Sequence, residues 1–202
     1  MRLVVTGADR PLGALLCQGL AQGRQVVPAG AEVDLRSAEQ VATLLKGAQA
    51  VVYTLPYDLP ASVAEGELLD LVARSTYVLT CEACRAGVRR ILLISQLALM
   101  EDYPVDYLVT WPQVWAPRPR PEARSLAPYL AELTCREITR MGKIEVVCLR
   151  LGELDGPEGT SGADALKAVE EALAYERQER EYHWAVLHVA SAGRFAPARE
   201  GN

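Results

Sequence analysis

The chain lacks the features that define several protein classes. Its apolar runs are about strand length, and none reaches the roughly 20 residues that a membrane-spanning helix needs, so no membrane partner is expected. The net charge is -5 and charges of both signs are interspersed. A nucleic-acid-binding surface would need a basic stripe, so no DNA or RNA partner is expected either. The first ten residues contain too short an apolar run for a secretory signal, which predicts a cytoplasmic location.

Disulfide and metal frameworks are also missing. The five cysteines are odd in number and follow no framework spacing, which fits a reducing compartment. Cys81 and Cys84 form a CxxC motif, but no second pair of ligands is near them in the sequence, and His183 and His188 fall in a late strand-like segment. The two cysteines are therefore interpreted as small residues on a packed helix, and no metal is predicted.

Strand-like and helix-like segments alternate along the chain. Half of the 202 residues are hydrophobic, which allows one sizeable core and one domain. Short apolar runs predict strands at 2–6, 25–28, 50–55, 90–95, 144–151 and 184–190, with a brief additional strand at 32–35. Helical spacing predicts helices at about 11–22, 37–46, 62–86, 126–141 and 164–177. This alternation is typical of an α/β fold in which helices cover both faces of a parallel sheet.

Local signals mark two helix starts and one irregular segment. Ser37 with Gln40, and Ser62 with Glu65, have the spacing of a capping box. A proline-rich segment, 99–125, follows neither the strand nor the helix period. Its two tryptophans, Trp111 and Trp115, are expected to wall a substrate pocket, because such pockets are largely apolar and aromatic.

The first turn has the spacing of a phosphate-binding loop. It reads TGADRPLG, from Thr6 to Gly13, between a strand and a helix. Gly7 allows a tight turn and Gly13 allows the helix to pack closely on the strand, while the helix start offers N–H groups to a pyrophosphate. The central glycine of such loops is absent, because Arg10 and Pro11 stand in its two candidate positions. Pro11 also removes one N–H donor.

Several separated segments share one resemblance. TGADRPLG, VDLRSAEQVATLLKGAQAVVYTLP, CEACRAGVRRILLIS, APYL and VVCLRLGELDGP follow one another with familiar spacing. The chain resembles the short-chain dehydrogenase/reductase superfamily, in its extended NAD-dependent epimerase/dehydratase branch. The resemblance implies a Rossmann-type doubly wound parallel sheet in a single domain over 1–190, followed by a polar tail at 191–202. It also implies a truncated carboxyl-terminal substrate region, which makes sugar-nucleotide recognition doubtful.

The same resemblance implies a catalytic centre with one departure. In active relatives a tyrosine transfers the substrate proton, a lysine four residues later lowers the tyrosine's pKa and holds the nicotinamide ribose, and a Ser or Thr positions the substrate oxygen. Tyr129 matches the tyrosine. The hydroxyl position falls on Gln96, which can hydrogen-bond a carbonyl but cannot relay a proton as a hydroxyl does, and Ser95 is its neighbour. Leu133 replaces the lysine, and it can supply neither the positive charge nor a hydrogen bond. Glu137 matches the family's downstream glutamate.

The cofactor site implied by the resemblance is an NADP or NAD site. Its residues are Gly7, Arg10, Leu12, Gly13, Asp34 and Leu35. NAD-selective relatives carry an acidic residue at the end of the second strand, and here Glu32 comes several residues late. Because Arg10 stands where some NADP-using relatives carry a basic residue, NADP is the preferred cofactor.

Three functions remain open at this point. The first is a dinucleotide-binding protein with a degenerate catalytic centre, weakly active or inactive. The second is an active NADP-dependent reductase or epimerase of a small carbonyl or sugar-like substrate, with Tyr129 assisted by Gln96 or Ser95. The third is a non-catalytic interaction protein that has lost the cofactor. The resemblance also implies a homodimer formed through the helices at 62–86 and 126–141.

Overall fold

Six parallel strands form one sheet in the order β2-β1-β3-β4-β5-β6. The computed structural model describes residues 1–104, 116–176 and 183–196, so Trp111 and Trp115 lie outside the described residues. The strands are β1 (Arg2–Thr6), β2 (Gln25–Ala29), β3 (Ala50–Tyr53), β4 (Arg90–Gln96), β5 (Glu145–Leu151) and β6 (Trp184–Val189). All six predicted main strands are present. The brief strand expected at 32–35 is not, because the chain turns there instead of pairing.

Helices connect the strands as the periodicity predicts. They are α1 (Pro11–Leu20), α2 (Ala38–Leu44), α3 (Glu65–Ala86), α4 (Ala123–Thr139) and α5 (Gly162–Ala174), with a short 3₁₀ turn at Leu97–Met100. Ser37 caps α2, since its side chain accepts a hydrogen bond from the Gln40 amide. The second predicted cap is wrong: Ala64 precedes α3, and no side chain caps that helix.

The helices cover both faces of the sheet. One face packs against α1 and α5 through a core that includes Leu3, Val52 and Ile94. The opposite face packs against α2, α3 and α4 through a core that includes Val4 and Val51. Because neighbouring strand residues point to opposite faces, central strands covered on both sides read as unbroken apolar runs. Among the described residues, no helix is both long and apolar enough to cross a membrane.

The chain enters the sheet at β1 and then builds outward in both directions. β2 pairs with one edge of β1, and β3 pairs with the other. This reversal is a topological switch point, and ligands of open α/β sheets bind beyond the carboxyl ends of the strands at such a point. The turns that follow β1, β2 and β3 therefore position the candidate site.

The turn between β1 and α1 depends on both of its glycines. Gly7 has φ +62, and a Cβ on Gly13 would lie 2.0 Å from the Gly7 carbonyl oxygen. Gly7 therefore supplies a left-handed backbone conformation, and Gly13 lets the first turn of α1 lie directly against it. The predicted roles of both glycines in the turn agree with this geometry.

We expect Gly13→Ala to lower the free energy of unfolding by about 3 kcal/mol or more, because its Cβ has to displace backbone rather than a flexible side chain. Gly66→Ala is the matched control. Gly66 lies in the first turn of α3 with nothing within 4 Å of an added Cβ, so this change should be neutral or stabilise by up to about 1 kcal/mol. Urea unfolding of both variants measures the difference, and equal stabilities would contradict the packing argument.

Candidate functional site

Two cavities lie at the carboxyl ends of the strands. The first, which we term the switch-point cavity, has a volume of about 340 Å³ and lies among the turns after β1, β2 and β3 and the side of α3. The second, the β5 cavity, measures about 1260 Å³ and lies among the ends of β3, β4 and β5 and the segment after β6. Asp58, in the loop after β3, lines both cavities. A ligand that occupied both would therefore pass this carboxyl group.

Next to Asp58 in the sequence, Tyr57 forms a hydrogen bond to Gly152, which we term the crossbar. The Tyr57 hydroxyl donates to the Gly152 carbonyl oxygen at 2.7 Å, which joins the loop after β3 to the end of β5. The Gln96 side-chain amide donates to the carbonyl oxygens of Pro56 and Tyr57, each at 3.1 Å. Burial raises the pKa of Tyr57 to about 12. The phenol is therefore a fixed hydrogen-bond donor at neutral pH rather than a proton carrier.

The switch-point cavity is mostly apolar and contains one unpaired hydroxyl. Side chains of Leu35, Leu55 and Leu71 contribute to its walls. Ser75, on α3, also lines the cavity and has no solvent exposure, and its Oγ has no hydrogen-bond partner within the described part of the chain. Buried polar atoms are normally satisfied, so an orphaned hydroxyl that lines a cavity indicates a place for a polar ligand atom.

Asp58 faces the start of α1. Burial raises the pKa of its carboxyl group, while Arg10 and hydrogen bonds from the Leu12 and Gly13 backbone N–H groups lower it, and Asp9 raises it. The net pKa is above the usual value of an aspartate. Its Oδ2 atom is buried, and none of the described residues offers it a partner with hydrogen-bond geometry. The Asp58 carboxyl group therefore lies close to the N–H groups at the helix start, where a phosphate would also be stabilised.

Most predicted cofactor residues border the switch-point cavity. Gly7, Arg10, Asp34 and Leu35 line it, whereas Leu12 and Gly13 are buried in the first turn of α1 beside it. Asp34 is tied to Arg36, whose side-chain and backbone hydrogen bonds lower the pKa of the Asp34 carboxyl.

Glu32 does not line the switch-point cavity, but its carboxylate contacts Gly30, which does. Its carboxylate folds back on the end of β2 and accepts a 2.7 Å hydrogen bond from the Gly30 amide. That bond is the largest cause of its lowered pKa. An acidic group thus stands at the tip of β2 although it comes late in the sequence, because the turn at 30–33 brings it back.

The candidate catalytic hydroxyl is already engaged. Ser95 is fully buried at the end of β4 and donates a 2.6 Å hydrogen bond to Glu132 Oε1. Glu132 also forms a buried ion pair with Arg150, with Nη2 2.7 Å from Oε2 and Nε 3.0 Å from Oε1. Ser95 is therefore part of a structural network that connects α4 to β4 and β5. Gln96 is the candidate that does line the β5 cavity.

Tyr129 and Leu133 lie on the outer side of α4. The buried stripe of this helix includes Ala127, Ala131 and Cys135, and the helical period places Tyr129 and Leu133 on the opposite side. Both are half-buried, and neither lines the switch-point or the β5 cavity. Proton transfer by Tyr129 stays a prediction. Of the three catalytic candidates, Gln96 lines the β5 cavity, Ser95 is buried beside it, and Tyr129 lines neither cavity.

The sequence resemblance assigned the family's downstream glutamate of α4 to Glu137. In the structure Glu137 is exposed and pairs with Arg140, whereas the glutamate facing the sheet is Glu132. A signal for this network was present in the sequence. Arg150 interrupts the apolar run of β5, and a buried arginine needs an acidic partner.

Arg124, at the start of α4, contacts the loop that follows β3. Arg124 Nη2 donates to the carbonyl oxygens of Pro60 and Ala61 at 2.8 and 2.7 Å. This role of Arg124 was not predicted from the sequence. The contact ties the start of α4 to the loop that carries Asp58.

The strand order, the glycine turn and the cavity at the switch point define a doubly wound α/β fold of the nucleotide-binding type. Comparisons with solved structures specify the fold further. A mutated uronate dehydrogenase matches with a TM-score of 0.74 and 20% identity over 96% of this chain and 75% of that one. UDP-N-acetylglucosamine 4-epimerase from Bacillus cereus matches with 0.74 and 17% over 95% and 78%. A dTDP-glucose 4,6-dehydratase double mutant from Streptomyces venezuelae, with NAD and DAU bound, gives 0.70 and 17% over 95% and 76%.

The chain therefore has the fold of the epimerase/dehydratase branch of the short-chain dehydrogenase/reductase superfamily, and the predicted Rossmann-type single domain is confirmed. The match spans about three quarters of the length of each of these proteins. No protein-family model matches the sequence, and no curated protein matches it.

A dinucleotide fits this site only in part. The switch-point cavity has the apolar walls and the orphaned Ser75 hydroxyl that suit a nucleoside. The start of α1, where a diphosphate would bind, faces the Asp58 carboxyl, and Asp9 is nearby. The site thus fits the nucleoside end, whereas its diphosphate end presents charges of both signs, because Arg10 lines the cavity together with Asp9 and Asp58.

We expect Glu132→Gln to lower the free energy of unfolding by about 3–5 kcal/mol, because it leaves the Arg150 charge buried without a counter-charge. The control is Glu137→Gln on the same helix. Its exposed pairing with Arg140 should contribute about 0–1 kcal/mol. Guanidinium unfolding of the two variants distinguishes the cases, and a near-neutral Glu132→Gln would show that the network contributes little to stability.

Proposed function

We propose that this chain is a nucleotide-binding protein with a short-chain dehydrogenase/epimerase-like fold and a degenerate catalytic centre, weakly active or inactive. The observation that carries the proposal is the commitment of the Ser95 hydroxyl to the buried Glu132–Arg150 pair. A hydroxyl held in this way is not available to position a substrate oxygen or to relay a proton. The solved relative that contains NAD supports a nicotinamide dinucleotide as the ligand type.

Two further features support low activity. Leu133 supplies no charge, and it lies with Tyr129 away from both cavities. The Gln96 side-chain amide donates to two loop carbonyls, so its N–H groups already hold the crossbar in place. When bound, a nicotinamide dinucleotide would supply hydride transfer. Gly7, Arg10, Asp34 and Leu35 would contact its adenosine end.

The alternatives each have one supporting observation. An active NADP-dependent reductase or epimerase is supported by the β5 cavity, which Gln96 lines and which is large enough for a small substrate. A protein that has lost the cofactor is supported by Asp58 at the start of α1. A cytoplasmic location remains a prediction from cysteine usage.

Glu32 changes the expected cofactor preference. Sequence reasoning favoured NADP because of Arg10. The carboxylate of Glu32 at the tip of β2, with Asp34 close by in the chain, would repel a 2′-phosphate and could accept hydrogen bonds from a ribose diol. We therefore propose NAD over NADP.

We expect saturable binding of NAD⁺ by calorimetry without turnover of NADH on a panel of aldehydes and ketones. Glu32→Gln should reduce the ratio of NAD⁺ to NADP⁺ affinity about three- to tenfold, because one or two hydrogen bonds to the ribose are weakened. Glu39→Gln, an exposed carboxylate on α2, is the control for net charge. Efficient turnover would support the reductase alternative, and absence of binding by any nucleotide would support loss of the cofactor.

We also propose the homodimer, through the outer surface of α3 and α4. Leu126, Tyr129, Leu130 and Leu133 form a half-buried apolar stripe along α4, and among the described residues none of them packs against a buried core cluster. Tyr77 on the adjacent α3 is 60% exposed. An apolar stripe beside an exposed tyrosine is suited to self-association through paired helices. It also explains a leucine at position 133.

We expect light scattering to show a dimer for the unmodified chain and a monomer for Leu130→Glu, because a charge would be buried at the centre of the interface. Met141→Glu is the control, since Met141 is 55% exposed just beyond the end of α4. A monomeric unmodified chain at all concentrations would refute the dimer.

A further inference from the structure

A row of basic residues lies at the amino-terminal edge of the sheet, opposite the two cavities. Arg2 begins β1, and Lys46, Arg89 and Lys143 lie in the segments that precede β3, β4 and β5. The Gln49 amide donates to the Arg2 carbonyl oxygen, and the Arg89 amide donates to that of Gln49, so these segments lie side by side. Because the four strands are parallel neighbours, the cations cross the edge over about 15 Å. We term Arg2, Lys46, Arg89 and Lys143 the basic row.

The basic row forms no ion pair within the described part of the chain. The acids at this edge are paired with other cations, namely Glu82 with Arg85, Glu137 with Arg140, Glu145 with Arg90, Glu170 with Arg24 and Glu171 with Lys167. Glu176, beyond the end of α5, is the one acid of this edge that has no such pair among the described residues. The row therefore keeps positive charge that the chain offsets only through Glu176.

Helix ends explain only part of this arrangement. Lys46, Arg89 and Lys143 follow α2, α3 and α4, and positive charge is favourable near the carboxyl end of a helix. The guanidinium of Arg90 fulfils such a role, since it donates to the last carbonyl oxygens of α5 at 2.9 and 3.0 Å. No side chain of the basic row donates to a helix carbonyl in this way within the described residues. Arg2 precedes every helix, and its buried Nε has no acceptor there.

Exposed apolar side chains flank the basic row. Met141, between α4 and Lys143, is 55% exposed, and Met1, beside Arg2, is 46% exposed. Methionine and arginine are enriched where protein surfaces meet, and the flexible thioether adapts to different partners. A nucleic-acid interface is more polar than this, and two methionines are a small apolar area for a membrane surface. The combination suits a polypeptide partner.

The carboxyl-terminal edge of the sheet has the opposite excess of charge. The acids that line the two cavities there, which include Asp9, Asp58 and Glu153, outnumber the arginines, which are Arg10, Arg36 and Arg194. Screening limits such differences to about 8 Å in physiological salt. A partner therefore responds to the edge that it approaches rather than to the net charge of -5. An acidic segment is attracted to the basic row although the whole chain is acidic.

We propose that the basic row is a docking surface for an extended acidic segment of a partner protein that also carries apolar side chains. The length of the row, about 15 Å, corresponds to about five residues of extended chain. Carboxylates of the segment pair with the cations of the row, and its apolar side chains contact Met141. Docking at this edge leaves both cavities open, so this function is independent of the proposed nucleotide binding.

A random copolymer of glutamate and tyrosine is the probe for this surface, and poly-glutamate is the purely acidic comparison. Each polymer is fluorescently labelled, and its anisotropy is recorded while the full chain is added. The unmodified chain should bind the copolymer saturably and about three- to tenfold more tightly than poly-glutamate, because tyrosine rings contact the Met141 thioether. Met141→Gln should remove this preference and leave the affinity for poly-glutamate within about twofold.

The double variant Arg89→Gln/Lys143→Gln removes two cations of the row. It should weaken copolymer binding about tenfold or more, because two exposed charge pairs are lost. Arg74→Gln/Arg120→Gln is the matched control, since both side chains are 59% exposed and lie outside the row. This control should stay within about twofold of the unmodified chain. The affinity of both double variants for NAD⁺ should be unchanged, because the row lies at the edge opposite the cavities.

Four results would overturn the proposal. The first is absence of saturable copolymer binding, and the second is equal weakening in the two double variants, which would show attraction to net charge alone. The third is tighter binding of a DNA duplex of about 20 base pairs than of the copolymer, which would assign the surface to nucleic acid. The fourth is tighter binding to vesicles of phosphatidylcholine and phosphatidylserine, which would assign it to membranes. If Arg89→Gln/Lys143→Gln does not fold by circular dichroism, Lys143→Gln alone decides, with an expected loss of about threefold.

Discussion

The buried pair of Glu132 and Arg150 is the constraint on which the candidate site depends. It joins α4 to β5, and Ser95 adds β4 through a third hydrogen bond. An ion pair removed from water needs such additional hydrogen bonds to offset the loss of hydration. The hydroxyl of Ser95, a catalytic candidate named from the sequence, is part of that compensation. The same contacts orient α4 so that Tyr129 and Leu133 lie on its outer surface.

Strand and helix periodicity was sufficient to predict the fold, because central strands covered on both faces leave an unmistakable apolar pattern. The positions of β1, β3, β4 and β5 follow from such runs. The prediction of a strand at 32–35 was wrong for a physical reason. The chain has to turn there to start α2, so these residues do not pair with a neighbouring strand. Local propensity was overridden by topology.

The candidate site was only partly predictable. Spacing located Gly7 and Gly13, because tight turns and close helix packing impose residue types at fixed offsets. Glu32 and Asp58 were not predicted, because their roles come from loops that fold back toward the start of α1. Spacing along a helix could not decide which of Glu132 and Glu137 faces the sheet. That choice depends on Arg150, which lies on a different element.

The groove at the ends of the strands consists of two cavities that share Asp58, and the hydrogen bond between Tyr57 and Gly152 lies at the wall of the β5 cavity. In a continuous groove, one long molecule benefits from joining its two halves, because the second half binds at a high effective concentration. Here a link would have to run past the Asp58 side chain, which lines both cavities. A bridging molecule therefore gains this benefit only if its linker matches the carboxyl group of Asp58, whereas two separate small molecules need no such linker.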